Sequence, residues 1–463
     1  MHSLDSDGRS QGEALNQQNN RSNLRYVFLL SIALVFTERI GLLSYNISVY
    51  AISQFILIYF LLITLLMNRG FQKAKLFNIN TLLILVLLLS MFISTLFSKY
   101  QETMISMEII QSLELGVLAT LLYVLLANYW DDEYWASLAK LMVLMAAISS
   151  VTIVTDFLEI TRFSESLGAK IYQTPGYIRV AGILGEANYG AGKLGIMLPF
   201  CFFLYTYYRS RGEKPKAFIS LIVFVPIIIG IFLTGSRMGM LEALLTLTYG
   251  LFYLVFRRTR GIERRSIVFV AILASVAILV VVITLLPIGN IPSITSSKYE
   301  KTFTRYHNIW TYLTKSNVTG ETALPLRIDL LRFGMEKFVE KPIAGYGLGG
   351  FVKLSSEEFG RGFVAHNTFI GMLVDTGLIG GLSFIGLFAY AFYNILKSKE
   401  RLGVFYHAFI ISAINLLVML FFLSSYADKL LWGMFIPISM YLEQMRKEKV
   451  SQGRISDPSV VQY

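Results

Sequence analysis

The chain has one cysteine, Cys201, and four histidines, His2, His307, His366 and His407, among 463 residues. A single cysteine excludes a disulfide framework within the chain and a cysteine-based zinc site. Four scattered histidines argue against a histidine-rich metal or haem centre, and neither a metal nor a cofactor is expected. Charge is scarce as well. Asp, Glu, Lys and Arg make up 15% of the residues, against about 25% in an average soluble domain. That excludes one large soluble domain. Disorder needs low hydrophobicity and high charge, so it is excluded too. What the chain does hold is apolar: 55% hydrophobic residues and a mean hydropathy of +0.59. The fold class is an all-α polytopic membrane protein. The net charge of +11 comes from 41 Lys and Arg against 30 Asp and Glu. In a soluble protein that balance would suggest nucleic acid. In a membrane protein the positions of Lys and Arg set topology, and no nucleic-acid partner is expected.

Residues 1–24 are polar and read as a disordered cytoplasmic tail. The length of this polar stretch, with no small-residue cleavage site after the first apolar run, argues against a cleavable signal peptide. A bilayer-crossing helix needs about 20 apolar residues. Such runs fall at roughly 26–45, 47–67, 79–98, 105–127, 134–158, 187–208, 217–235, 238–256, 266–287, 367–396, 404–425 and 429–445. The count is about twelve transmembrane helices. The expected organisation is the tail, a bundle of spans one to nine over 25–287, an extracytoplasmic loop subdomain over 288–366, spans ten to twelve over 367–446, and a cytoplasmic tail over 447–463.

Basic residues cluster in alternate loops. Arg69, Lys73 and Lys75 follow the second span; Arg209, Arg211, Lys214 and Lys216 the sixth; Arg257, Arg258, Arg260, Arg264 and Arg265 the eighth. Lys397, Lys399 and Arg401 follow the tenth, and Arg446, Lys447 and Lys449 the last. With twelve spans all of these share one side, which the positive-inside rule makes cytoplasmic. The outer side then carries two substantial loops, at about 159–187 and 288–366. Within the second, 326–340 places Leu326, Leu330, Phe333 and Phe338 at helical spacing. This reads as an amphipathic helix on the membrane or on the spans, stopped by Pro342 and followed by a Gly-rich turn. No repeat relates the two halves, which argues against transporters built by duplication.

Candidates for chemistry cluster at the outer boundary. They are Arg179 in YIRVAGILGEANYG, Arg237 in the very short turn LTGSRMG, Arg327 and Arg332 on the loop helix, and His366 in AHNTF. An arginine at a span end can snorkel to headgroups. Its planar fork of donors can instead hold phosphate oxygens. Gly182, Gly185 and Asn188 follow Arg179 and allow tight backbone near a ligand. Lys193 lies about one turn into a span, where charge is costly; it reads as functional or as a partner of Glu242. His366 can accept a proton near neutral pH or serve only structure. His307 is a weaker rival, and His407 is expected to be buried in span eleven.

Together these pieces resemble the O-antigen ligase / O-antigen polymerase family of bacterial membrane glycosyltransferases. The motifs are Arg179, Gly182 and Asn188 before one span; Ser236 and Arg237 at a tight outer turn; Pro342, Gly345 and Gly347 late in a large outer loop; and His366 and Asn367 opening the next span. The resemblance covers roughly 170–385 by motif and the whole chain by architecture. It implies a metal-independent enzyme of the bacterial cytoplasmic membrane with its active site on the extracytoplasmic side. The donor would be an undecaprenyl-diphosphate-linked oligosaccharide, the acceptor a hydroxyl of a glycan or lipid, and membrane lipids the surroundings. Arg179 and Arg237 would bind the diphosphate leaving group, and His366 would activate the acceptor as general base. Arg327, Asn188, Asn367, Gly345 and Gly347 would contact substrate. Ligases and polymerases share these motifs; the reading leans to a polymerase over a lipid A–core ligase. The alternative is a lipid-linked glycan flippase or transporter, which needs charge along a path through the midplane. Glu38, Arg39, Lys193 and Glu242 keep that alternative open.

Overall fold

The computed structural model of the chain describes residues 26–34, 49–67, 75–99, 107–130, 134–161, 163, 180–258 and 323–451. Among these residues there are helices and turns and no strand. The helices are α1 (26–34), α2 (Val49–Met67), α3 (Ile79–Leu96), α4 (Met107–Tyr129), α5 (Tyr134–Phe157), α6 (Ala187–Ser210), α7 (Lys214–Leu233) and α8 (Arg237–Arg258). After them come α9 (Ala323–Glu340), α10 (Gly350–Phe359), α11 (Thr368–Leu396), α12 (Tyr406–Phe422) and α13 (Ile436–Ser451). A π-helical turn, Leu431–Phe435, leads into α13.

Among the described residues, six stretches are long and apolar enough to span a bilayer: α3, Ile109–Tyr129 of α4, α5, α7, α11, and α12 with its preceding turn from Lys399. α6, α8 and α13 stand where spans are expected but are more polar. Of the expected first span only 26–34 is described, and the expected span 266–287 and the loop over 288–322 lie outside the described residues. Large apolar side chains point outward on α3 (Leu82, Leu85, Leu89) and α7 (Phe218, Ile222, Val225). A continuous apolar flank of this kind is incompatible with water and matches hydrocarbon.

α6 is the central element. Every residue from Gly190 to Leu204 is buried, and the helix packs against α5, α7, α8 and α12. Pro199 sits within it, as Pro226 sits within α7; neighbouring helices allow prolines in membrane helices. Phe200, Phe409 and Trp135 meet edge-to-face, with ring centroids 5.3 and 5.4 Å apart. A second group joins α3 and α4 to α11 and α13. There Asn80 donates to Glu443 at 3.1 Å, while Ser439 donates to Asn80 and receives from Asn394.

The amphipathic helix expected over 326–340 is α9. It starts earlier because Pro325 lies in its first turn, where the backbone N–H has no helical partner to lose. It lies on the spans: Leu330 and Phe333 pack with Phe351 and Leu354 of α10 and with Ala365 and Val374. His407 is half-buried, in the first turn of α12, with its Nδ1 2.6 Å from the Tyr249 hydroxyl. The expected burial of His407 in span eleven is met only in part, because the residue sits at the start of that helix rather than within it.

Candidate active site

The connection between α7 and α8 is three residues long. Thr234 Oγ1 accepts from Ser236 N–H at 3.2 Å, Gly235 takes φ +65°, and Ser236 Oγ accepts from Gly239 N–H at 3.4 Å. Arg237 is the first residue of α8. Its guanidinium is half-buried, with Nε and Nη2 shielded from solvent. A cation at a helix N-terminus adds to the positive end of the helix dipole, so the position suits an anion.

Three helix beginnings and one helix end meet here. A β-carbon on Gly192 of α6 would press on Met238 of α8 and Met419 of α12. The Tyr189 hydroxyl of α6 donates to the Ser424 carbonyl just beyond α12. Thr368, opening α11, donates through Oγ1 to the Leu423 carbonyl at 2.7 Å and accepts from Ser425 N–H at 2.8 Å. Asn367 caps α11, accepting from Ile370 N–H at 3.0 Å, and its amide donates to the Phe421 carbonyl at 3.2 Å. Asn188 donates to Glu186 at 3.1 Å, and Glu186 in turn caps α6. The tertiary structure thus brings Asn188, Arg237, His366 and Asn367 to one end of the bundle.

His366 holds φ +51°, a left-handed conformation that costs a non-glycine residue energy and marks a constrained site. Its Nδ1 is buried with no hydrogen-bond partner among the described residues. Burial first, and the Arg327 charge second, push its pKa down to about 4. The ring is therefore neutral at physiological pH and able to accept a proton. Arg327, near the start of α9, is the cation that acts on it.

Gly345 and Gly347 have another surrounding. Gly345 takes φ +67°, and a β-carbon there would stand 2.6 Å from the Asp375 carbonyl oxygen and the Gly377 nitrogen. Gly347 takes φ +90° against Ser98 of the α3 C-terminus, and its N–H donates to the Asp375 carbonyl and to Ser94 Oγ, both at 2.9 Å. Tyr346 N–H donates to the Val374 carbonyl at 2.9 Å. The loop is stitched to α3 and to the kink of α11, where Gly377 has φ 69° and ψ −168°. The two glycines fit this close backbone approach.

Asp375 is the residue that motif reading missed. Its carboxylate accepts from Gly349 N–H at 3.1 Å and Phe351 N–H at 2.8 Å, capping α10. An ionisable residue inside an expected span was the available signal. Arg179 and His307 lie outside the described residues. The pairing of Lys193 with Glu242 is not formed. Glu242 is wholly buried, and neither carboxylate oxygen has a hydrogen-bond partner among the described residues.

Apolar flanks, buried interhelical polar links, and a cationic helix start at the same end of the bundle as a strained histidine define a multi-pass helical membrane protein. Residues 222–385 match the family model described as O-antigen ligase. That match takes in Arg237, Arg327, the 342–351 loop and His366, and it supports the O-antigen ligase/polymerase family, whose members are membrane glycosyltransferases. No curated protein matches the chain.

Proposed function

We propose that the chain polymerises a cell-surface polysaccharide at the outer face of the cytoplasmic membrane, without a metal. The acceptor hydroxyl of one repeat unit attacks the anomeric carbon of a glycan linked to undecaprenyl diphosphate. The bond from that carbon to the diphosphate oxygen breaks, its electron pair leaves with the diphosphate, and the hydroxyl proton passes to His366. Arg237 and Arg179 neutralise the charge that builds on the leaving group, which is where fixed cations lower a barrier most. Arg327 lies beside the base. A lipid diphosphate arriving there counters the Arg327 charge and raises the basicity of His366 as substrate binds. In-line attack opposite the leaving group inverts the anomeric configuration.

The observation that supports this reading is that α8 and α11 both pack on α12 and that both begin at the end of the bundle where α12 finishes, with Arg237 opening one and His366 preceding the other. The test uses purified protein and a lipid-linked repeat unit, with chelator present. Undecaprenyl diphosphate release and glycan lengthening are expected in the wild type, with both lost in Arg237→Ala and His366→Ala. Unchanged release in the two variants would overturn the site, and a retained anomeric configuration would overturn the in-line geometry.

One observation favours the flippase alternative: Lys193, Glu242, Asp428 and Lys429 are all buried in the bundle. Movement of the lipid-linked glycan across sealed vesicles without lengthening would establish that reading instead.

A further inference from the structure

α6 runs from the candidate active site to Ser210, and α5 touches the turn that leads into α6 through Thr152, whose hydroxyl accepts from Ile183 N–H. Lys140 near the start of α5, Tyr208 near the end of α6 and Lys216 near the start of α7 therefore lie at the opposite end of the bundle. Between these three helices is a cavity of about 250 Å³. Its wall is apolar over most of its length, with Leu144, Leu204 and Ile219 among the lining, and its rim is formed by Lys140, Tyr208 and Lys216. Leu144 and Ile219 are each 56% exposed on the flank where the cavity opens, the surface that faces hydrocarbon.

The rim carries excess positive charge. Lys216 donates to Glu213 at 2.5 Å, and the charges of Arg211 and Lys140 also act on that carboxylate. Three cations thus surround one anion. An ammonium has three donors, so Lys216 keeps two after Glu213 is served. Lys140 is exposed at the rim.

We infer that this cavity is a binding site for an anionic glycerophospholipid of the surrounding bilayer, with its phosphate between Lys140 and Lys216 and one acyl chain in the apolar slot. Two features select that occupant. The opening faces lipid, so a chain enters sideways without leaving hydrocarbon. The rim has a net positive charge, which attracts a headgroup bearing a net negative charge and repels the ammonium of a zwitterionic one. Pockets that enclose a whole drug-sized ligand start near about 300 Å³. This one is smaller, so it takes part of one chain and leaves the rest in the bilayer. It is separate from the site at the other end and does not depend on the reaction proposed there.

The test is native mass spectrometry of the full chain in detergent, with phosphatidylglycerol or phosphatidylcholine of identical acyl chains added. The wild type is expected to keep one phosphatidylglycerol under conditions that strip phosphatidylcholine. Each lysine near a headgroup is worth about five-fold in affinity, so Lys140→Ala with Lys216→Ala should weaken retention by more than ten-fold. Both side chains are exposed, so the fold is expected to persist. Ala147→Phe, which fills the slot and leaves both lysines, should abolish retention by a separate route. Glu213→Gln, which removes the one anion at the rim, should strengthen it. Equal retention of phosphatidylcholine, or undiminished phosphatidylglycerol binding in the double-lysine variant or in Ala147→Phe, would overturn the site.

Discussion

Asp375 of α11 accepts the backbone N–H of Phe351 at 2.8 Å, across 24 residues of chain. The same carboxylate takes the Gly349 N–H, so the first turn of α10 hangs on one side chain of a spanning helix. This joint sets where α9 and α10 lie over the start of α11, and hence where Arg327 stands relative to His366. Asp375→Ala leaves one buried donor, Phe351 N–H, and one partly buried donor, Gly349 N–H, without this acceptor. Such a change costs about 1–3 kcal/mol for each group, so the melting temperature in detergent should fall, and activity with it. Asp375→Asn keeps one acceptor oxygen and should fall between the two.

Gly345→Ala should be severe. The position combines φ +67° with a β-carbon 2.6 Å from the backbone of α11, and neither conflict can be relieved by a side-chain rotation. Poor yield of folded protein on size-exclusion chromatography is expected, whereas Gly360→Ala, with φ +67° but nothing within 4 Å, should cost far less. Similar yields for both would show that strain rather than the close approach governs the loop.

Arg237→Ala should reduce turnover of a lipid-linked donor by about a hundred-fold or more, the usual scale for losing a fixed donor to a developing anion. Arg237→Lys should recover part of this, since an ammonium supplies charge without the planar fork. Thermal melts of both variants should stay near wild type. A loss of activity that tracks loss of folded protein would remove Arg237 from the chemistry.

The pH dependence follows from His366. Its pKa is depressed in the folded chain, from 6.5 to about 4, so the neutral ring persists on acidification to well below the ordinary imidazole range. The acid limb of kcat/KM should therefore lie below pH 6.5. Arg327→Gln removes the second cause of the depression and should move that limb upward. Stability carries the same sign. As pH falls from 6.5 toward 4, the unfolded chain binds a proton that the folded chain resists, so folding stability is lost over that window. His366→Gln lacks this contribution, and its melting temperature should decline less between the two pH values.

Gly195 of α6 is the space into which Glu242 fits, for a β-carbon there would overlap Glu242 Oε2. Gly195→Ala should destabilise the bundle strongly. Glu242→Ala removes the carboxyl part of the obstruction and keeps only the β-carbon, 2.8 Å away, so the double variant should be more stable than the sum of the two single effects. A double-mutant cycle of melting temperatures that proves additive would contradict the contact.

Much of the helical layout is legible without coordinates. Apolar runs of bilayer length coincide with α3, α4, α5, α7, α11 and α12, because a chain in hydrocarbon must satisfy its backbone internally and a helix is the local way to do so. The helix carrying Arg327 was legible from the spacing of Leu326, Leu330 and Phe333, and Arg237 from a turn too short for a decorative charge. Less legible were contacts between distant segments. Lys193 and Glu242 look like an ion pair on paper, yet Glu242 faces Gly195 instead. Gly345 and Gly347 look like ligand-cradling glycines; in the structure the Gly347 N–H and the missing β-carbons of both serve the docking of the loop on α3 and α11.

By itself, then, the sequence determined a helical membrane protein, the positions of six apolar helices of bilayer length, and the residue types from which an anion site and a proton acceptor could be built. Hydropathy and local spacing suffice for these because they act within one segment. Only the tertiary structure decided that the starts of α6, α8 and α11 meet at one end, that Arg327 bears on His366, and that Asp375 holds α10 in place. Those relationships depend on interhelical hydrogen bonds and close glycine contacts between residues far apart in the chain, and no local pattern specifies them.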